Sequence, residues 1–202
     1  MFSKTVPRAE RAAAILGLLV LTAAGPVRDS DWPCAQRLVP VLTFGQFWTG
    51  PPASSDWRSD PEIAELVRSL APRAVPVDAA VAKLRAFSEV LSAAERAAKL
   101  PTVFAGLLDE TVKQRQEIID RIKSLARRQR EVEGVVAKLN TELLEQPEAD
   151  SPGRADSIRQ RDLVVRMFND TQRTLRYACE LPPALEGRLG RFAAVLQDLL
   201  PK

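Results

Sequence analysis

Histidine is absent from the 202 residues, which removes a large part of ordinary enzyme chemistry. There is no Ser–His or Cys–His nucleophile pair, no histidine-ligated zinc or copper, and no C-x-x-C-H haem attachment. Cysteine occurs only at Cys34 and Cys179, too far apart for a C-x-x-C redox motif. Glycine is scarce, nine residues in all, and none builds a phosphate-cradling loop. H-E-x-x-H, G-x-S-x-G and calcium-loop motifs are missing too. No catalytic, metal or cofactor residues are therefore assigned, and the chain reads as a non-enzyme. Paired carboxylates, such as Asp109, Glu110, Glu117 and Asp120, or a Ser–Lys pair are the enzymatic alternatives, and neither has a recognisable motif. The carboxylate spacing is equally that of a wet helix face, and the wet face is preferred.

Long apolar runs are also lacking, with one exception. Ala12 to Ala24 is continuous and follows the basic residues Lys4, Arg8 and Arg11. Small residues at Thr22-Ala23-Ala24 precede Gly25-Pro26. This is the layout of a secretory signal peptide over residues 1–24, too short for a span of roughly 20 apolar residues. Retention as a membrane anchor is the alternative. Cys34 has no lipobox before it. Without Lys4, Arg8, Arg11 and Glu10 the net charge falls from +3 to +1. Such a balance leaves no nucleic-acid footprint. Ala- and Arg-rich, Lys-poor usage points to a bacterial periplasm, so the protein is expected to be periplasmic or secreted. In that oxidising setting Cys34 and Cys179 are expected to form one disulfide. It closes a loop holding most of the mature chain, worth at most about 4–5 kcal/mol on the chain-entropy model.

The chain that follows is expected to be all-α: an elongated helical bundle with a long antiparallel coiled-coil-like hairpin and an irregular Trp/Pro-rich N-terminal arm. The arm, residues 25–60, holds Trp32, Trp48 and Trp57 among prolines that disfavour a long helix. Its aromatics repay burial, so it is read as lying over the helical domain, residues 61–202. Exposure of Trp48 and Trp57 as a partner-binding loop is the alternative.

Asp60-Pro61 is a cap followed by a first-turn proline, and it opens a short helix bearing Ile63, Leu66, Val67 and Leu70. From Val77, the residues Ala80, Leu84, Phe87, Leu91, Ala94 and Ala98 repeat by four and three. They predict a helix reaching Pro101, which marks a kink or a new start, with an apolar seam free for self-association. The dominant element is the hairpin, about residues 102–180. Its first helix carries Leu108, Thr111, Arg115, Ile118, Ile122, Leu125, Gln129, Val132, Val136, Leu139 and Leu143 in one register. A polar turn at 146–153 leads to a second seam of Ile158, Arg161, Val165, Phe168, Gln172, Leu175 and Cys179. Folding at residue 150 sets Gln129 beside Gln172, and Cys179 near Arg121 at mid-helix. Leu181-Pro182-Pro183 predicts a break before a last helix with Leu185, Leu189, Phe192, Leu196 and Leu199 on one face.

Arg127, Arg128 and Arg130 form a basic patch on the hairpin, a candidate surface for an acidic partner or peripheral membrane contact. A solvated helix surface is the plainer reading. The expected function is that of an exported interaction protein of the cell envelope: an adaptor, assembly factor or chaperone-like accessory whose hairpin binds a protein partner, or that self-associates. The alternative is a periplasmic small-ligand or lipid-binding protein with a pocket at Trp48, Trp57 and Phe87.

Overall fold

The computed structural model describes residues 31–53, 56–145 and 152–202; the signal segment and most of the hairpin turn lie outside them. Helices account for all the regular structure there: α1 (Phe44–Phe47), a 3-10 turn (Trp57–Ser59), α2 (Pro61–Leu70), α3 (Val77–Glu89), α4 (Ala93–Glu145) and α5 (Pro152–Asp198). The two long helices, α4 of 53 residues and α5 of 47, pack against each other as a hairpin. At 1.5 Å per residue α4 is about 80 Å long.

The α2 start is built as its sequence requires. The Asp60 carboxylate accepts from the Glu62 and Ile63 amides, and Pro61 needs no donor partner at the first position. Ile63, Val67 and Leu70 then face inward and are buried. The 77–98 period, by contrast, is divided. α3 ends at Glu89, and α4 begins at a capping box, with Ser92 N donating to Glu95 Oε2 at 2.8 Å and Glu95 N to Ser92 Oγ at 3.3 Å. Those hydrogen bonds, the one from the Ser92 hydroxyl foremost, hold the Glu95 carboxyl below its ordinary value. Four residues fixed by a local cap thus outweigh a seam that reads straight through them. Pro101 is no boundary; it lies within α4 with its ring buried. The expected self-association seam is spent within the molecule, because Ala80, Leu84 and Leu91 belong to the core.

That core sits at one end, where the arm, α2, α3, the start of α4 and the end of α5 meet. Trp48, 4% exposed, stacks on Phe104 with centroids 5.0 Å apart, and its indole N–H donates to the Pro51 carbonyl at 2.7 Å. Trp57, 5% exposed, donates to Asp109 Oδ2 at 2.9 Å. Each indole buries its apolar body and satisfies its one donor. Gly106 allows this packing: a Cβ there would stand 2.7 Å from Val67 Cγ2 and 2.9 Å from Trp57 Cδ2.

The predicted break at Leu181-Pro182-Pro183 does not occur; α5 runs through both prolines. A proline inside a helix frees the carbonyl four residues earlier. For Pro183 that carbonyl belongs to Cys179, and the Gln36 side-chain amide donates to it from the arm. The last apolar face forms as predicted, on the same helix rather than a new one, with Leu185, Leu189, Phe192 and Leu196 buried.

Arg115 ties the arm to the hairpin. Only 4% exposed, it donates from Nε to Glu186 Oε1 and from Nη2 to the Val39 carbonyl, both at 2.6 Å. The partly exposed Glu186 supplies the only ion pair this buried cation makes among the described residues. Glu186→Leu is expected to lower unfolding stability by about 2–4 kcal/mol in urea denaturation, because it strands a buried charge. Gly106→Ala is expected to cost about 1–3 kcal/mol from overpacking, although alanine is the better helix former. A neutral or stabilising Gly106→Ala would show that the Trp57–Val67 contact yields easily.

Candidate functional site

The hairpin has a held half and a projecting half. Ile118 and Ile122 of α4 cluster with Leu175 and Leu185 of α5, and Trp32 and Cys34 of the arm pack on them. Cys34 is bonded to Cys179, with Cα atoms 5.6 Å apart, in the same cluster as Leu125. The staple thus falls near mid-helix, within about one turn of the expected Arg121. Past Arg130, α4 packs only against α5 among the described residues. Val132 and Val136 are half-buried, and Leu139 and Leu143 are buried between the two helices. This free pair is about 20 Å long, taking residues 131–145 at 1.5 Å each. At its far end Arg154 Nη1 donates to the Leu143 carbonyl at 2.5 Å. Leu143 lies among the last four carbonyls of α4, which have no donor within the helix, so this arginine closes the helix end.

Apolar side chains remain outside this pair. Leu144 is 86% exposed, and Val135, Leu163 and Met167 are exposed along the two helices. Leu143 and Leu144 are adjacent, so only one of them can enter a seam. That adjacency was the available sequence signal for an outward leucine. Leu163 and Met167 lie off the seam by the same argument, and the sequence reading passed over both.

The named candidate residues separate into two groups. Trp48 and Trp57 are in the core, with their ring faces and N–H groups occupied, so neither presents a binding loop. Phe87 packs on the same core from its edge. Of the basic residues, Arg127 Nη1 donates to Asp31 Oδ2 at 2.9 Å and Arg130 Nη2 to Asp31 Oδ1 at 2.5 Å. Two of the three arginines therefore clamp the start of the arm. Arg128 is exposed and forms no ion pair among the described residues. Asp31 and Gln36 carry functions in the arm that composition alone did not single out.

A cleft of about 880 Å³ opens beside the disulfide, between arm residues 33–36, α4 and α5. Leu175, Ala126 and the cystine form its apolar floor; Arg176, Glu180 and Gln172 stand around it. The expected Gln129–Gln172 pair is not made. Gln172 is exposed, and Gln129 Oε1 is buried without a hydrogen-bond partner. Gln172 lies one residue past the position that faces α4; the half-buried Thr171 occupies that position instead. Of the four carboxylates that suggested enzymatic chemistry, two make side-chain contacts: Asp109 accepts from Trp57 and Arg58, and Asp120 accepts from Gln116. No cluster of metal-ligating side chains occurs among the described residues.

No protein-family model, curated protein or solved structure matches this chain. No helix among the described residues is long and apolar enough to cross a membrane. The Cys34–Cys179 disulfide is compatible with an extracellular location.

The Asp31 clamp has a pH signature. Hydrogen bonds from Arg127 and then Arg130 hold its carboxyl below the ordinary 3.8. A carboxyl with a depressed folded value contributes its stabilisation fully above about 3.8 and loses it as pH falls through the lower folded value. In a carboxyl-carbon NMR titration Asp31 is expected to titrate below 3.8, and Arg127→Gln with Arg130→Gln should return it towards 3.8. A wild-type midpoint at or above 3.8 would show that the clamp is open in solution.

Proposed function

We propose that this is an exported, non-enzymatic interaction protein of the cell envelope that uses its helical hairpin to engage a protein partner, as an adaptor, assembly or chaperone-like accessory. The observation that carries this reading is the projecting hairpin end, with Leu144 almost wholly exposed there. Leu144 contributes nothing to the core, and its exposure leaves apolar surface in water. The export signal read in residues 1–24 places the hairpin outside the cytosol, where the Cys34–Cys179 bond persists. Arg128 adds an unpaired cation on the same helix, available to an acidic partner or an anionic lipid surface.

A second reading, binding of a small ligand or lipid, is favoured by the cleft beside the disulfide. Its volume is within the range of small-molecule sites, and its floor is apolar. A stoichiometric small molecule seen by native mass spectrometry of protein taken from its own envelope would favour it over the adaptor.

Photocrosslinking in the native envelope tests the adaptor. A photoreactive residue in place of Leu144 is expected to give one discrete adduct, and the same residue in place of exposed Arg85 on α3 none. Leu144→Glu should abolish binding of the captured partner while changing unfolding stability by no more than about 0.5 kcal/mol. Equal labelling at both sites, or none at Leu144, would refute the assignment of the hairpin end.

A further inference from the structure

The side of α5 turned away from the hairpin seam carries a second periodic stripe: Leu163, Met167, Asp170, Thr174, Tyr177 and Leu181. The spacing alternates by four and three, the pattern of a helix that packs on another helix. All six are exposed, and Tyr177, the one tyrosine of the chain, is 72% exposed. Neither the seam nor the core uses them.

The order of these residues is symmetric about position 172. An antiparallel copy of α5 laid on this stripe sets Leu163 against Leu181, Met167 against Tyr177, and Asp170 against Thr174, and each match occurs twice. The flanking charges pair about a point one residue further on, position 173. Arg166 falls opposite Glu180 of the second copy, and neither residue forms an ion pair within its own chain among the described residues. At that centre the two copies of Arg173 meet, each offset by Asp170 of its own chain at 3.6 Å and by Asp170 of the second copy beside it. Only a self-complementary patch meets its own image in this way, as a two-fold interface requires.

We infer that the outer face of α5 between Leu163 and Leu181 is a homodimer interface, with a second copy of the chain packed antiparallel on it. The contact is short, about 27 Å of helix. It is bounded beyond Leu181 by the α2–α3 connection, where Arg188 donates to the carbonyls of Leu70, Pro72 and Val75. Four large apolar residues per copy and four reciprocal charge pairs describe a reversible dimer, below the size of an obligate one. The inference stands apart from the adaptor reading, because Leu144 is outside the stripe and remains free in the dimer.

Sedimentation equilibrium of the purified protein tests it. A concentration-dependent monomer–dimer equilibrium is expected, weakened at least about tenfold by Met167→Glu. Arg166→Glu should weaken it by roughly tenfold, since two attractive pairs become repulsive, and the double variant Arg166→Glu with Glu180→Arg should restore it. These positions are exposed, so the variants are expected to keep the wild-type helical circular dichroism. As an independent readout, modification of Tyr177 by a tyrosine-selective reagent should fall as protein concentration rises through the dimerisation range. A protein that stays monomeric at about 100 μM overturns the proposal. So does a dimer that is indifferent to Met167→Glu, or one that the charge reversal weakens and the double reversal fails to rescue.

Discussion

The Cys34–Cys179 bond lies where the arm, α4 and α5 meet, and it sets the limit of the supported part of the hairpin. Two helices of 53 and 47 residues cannot be held along their whole length by the small number of residues that remain. The chain meets this constraint by laying the arm across the hairpin and fixing it repeatedly: Asp31 to Arg127 and Arg130, Gln36 to the carbonyl that Pro183 frees, and Val39 to Arg115. The Gln36 and Val39 contacts pair polar groups that helix formation or burial would otherwise leave unmatched. The bond keeps the arm in register for the others. On the side of α1 to α3 there is a packed core. On the other side two helices have only each other.

This division accounts for the placement of polarity. Arg115, buried among apolar neighbours, is tolerated because Glu186 and a backbone carbonyl share its donors. Arg188, whose guanidinium pKa burial pushes down, spends its donors on three carbonyls of the α2–α3 connection. Past Arg130 no buried arginine of this kind occurs among the described residues. The seam there is thin, and apolar residues such as Leu144 and Leu163 face outward.

Much of this was legible in the sequence, and what was missed has identifiable physical causes. The 3–4 periods from Leu108 to Leu143 and from Ile158 to Leu175 specify the hairpin, because a seam must be buried wherever it repeats for long enough. The cysteine pair was legible because two thiols in one chain leave a single intramolecular pairing. The boundaries were less so. Ser92 and Glu95 start α4 through a local cap that the longer apolar period conceals, and Pro182-Pro183 fails to stop α5 because a donor 147 residues before Pro183 compensates it. That compensation is tertiary, and no local pattern announces it. Trp48 and Trp57 illustrate the same limit. Their type suits either a binding loop or a core, and only the space beside Phe104 and Gly106 decides for the core.

The account's central claim is that each long helix is part core and part projection, divided at the arm. Native-state hydrogen exchange resolved by residue tests it most directly, since local opening should follow local packing. Amides of α4 up to about Ala126, and of α5 from about Leu175, should exchange only through global unfolding. Residues 131–145 and 152–169 should exchange through a smaller opening of lower free energy. Uniform protection along both helices to the hairpin end would contradict it.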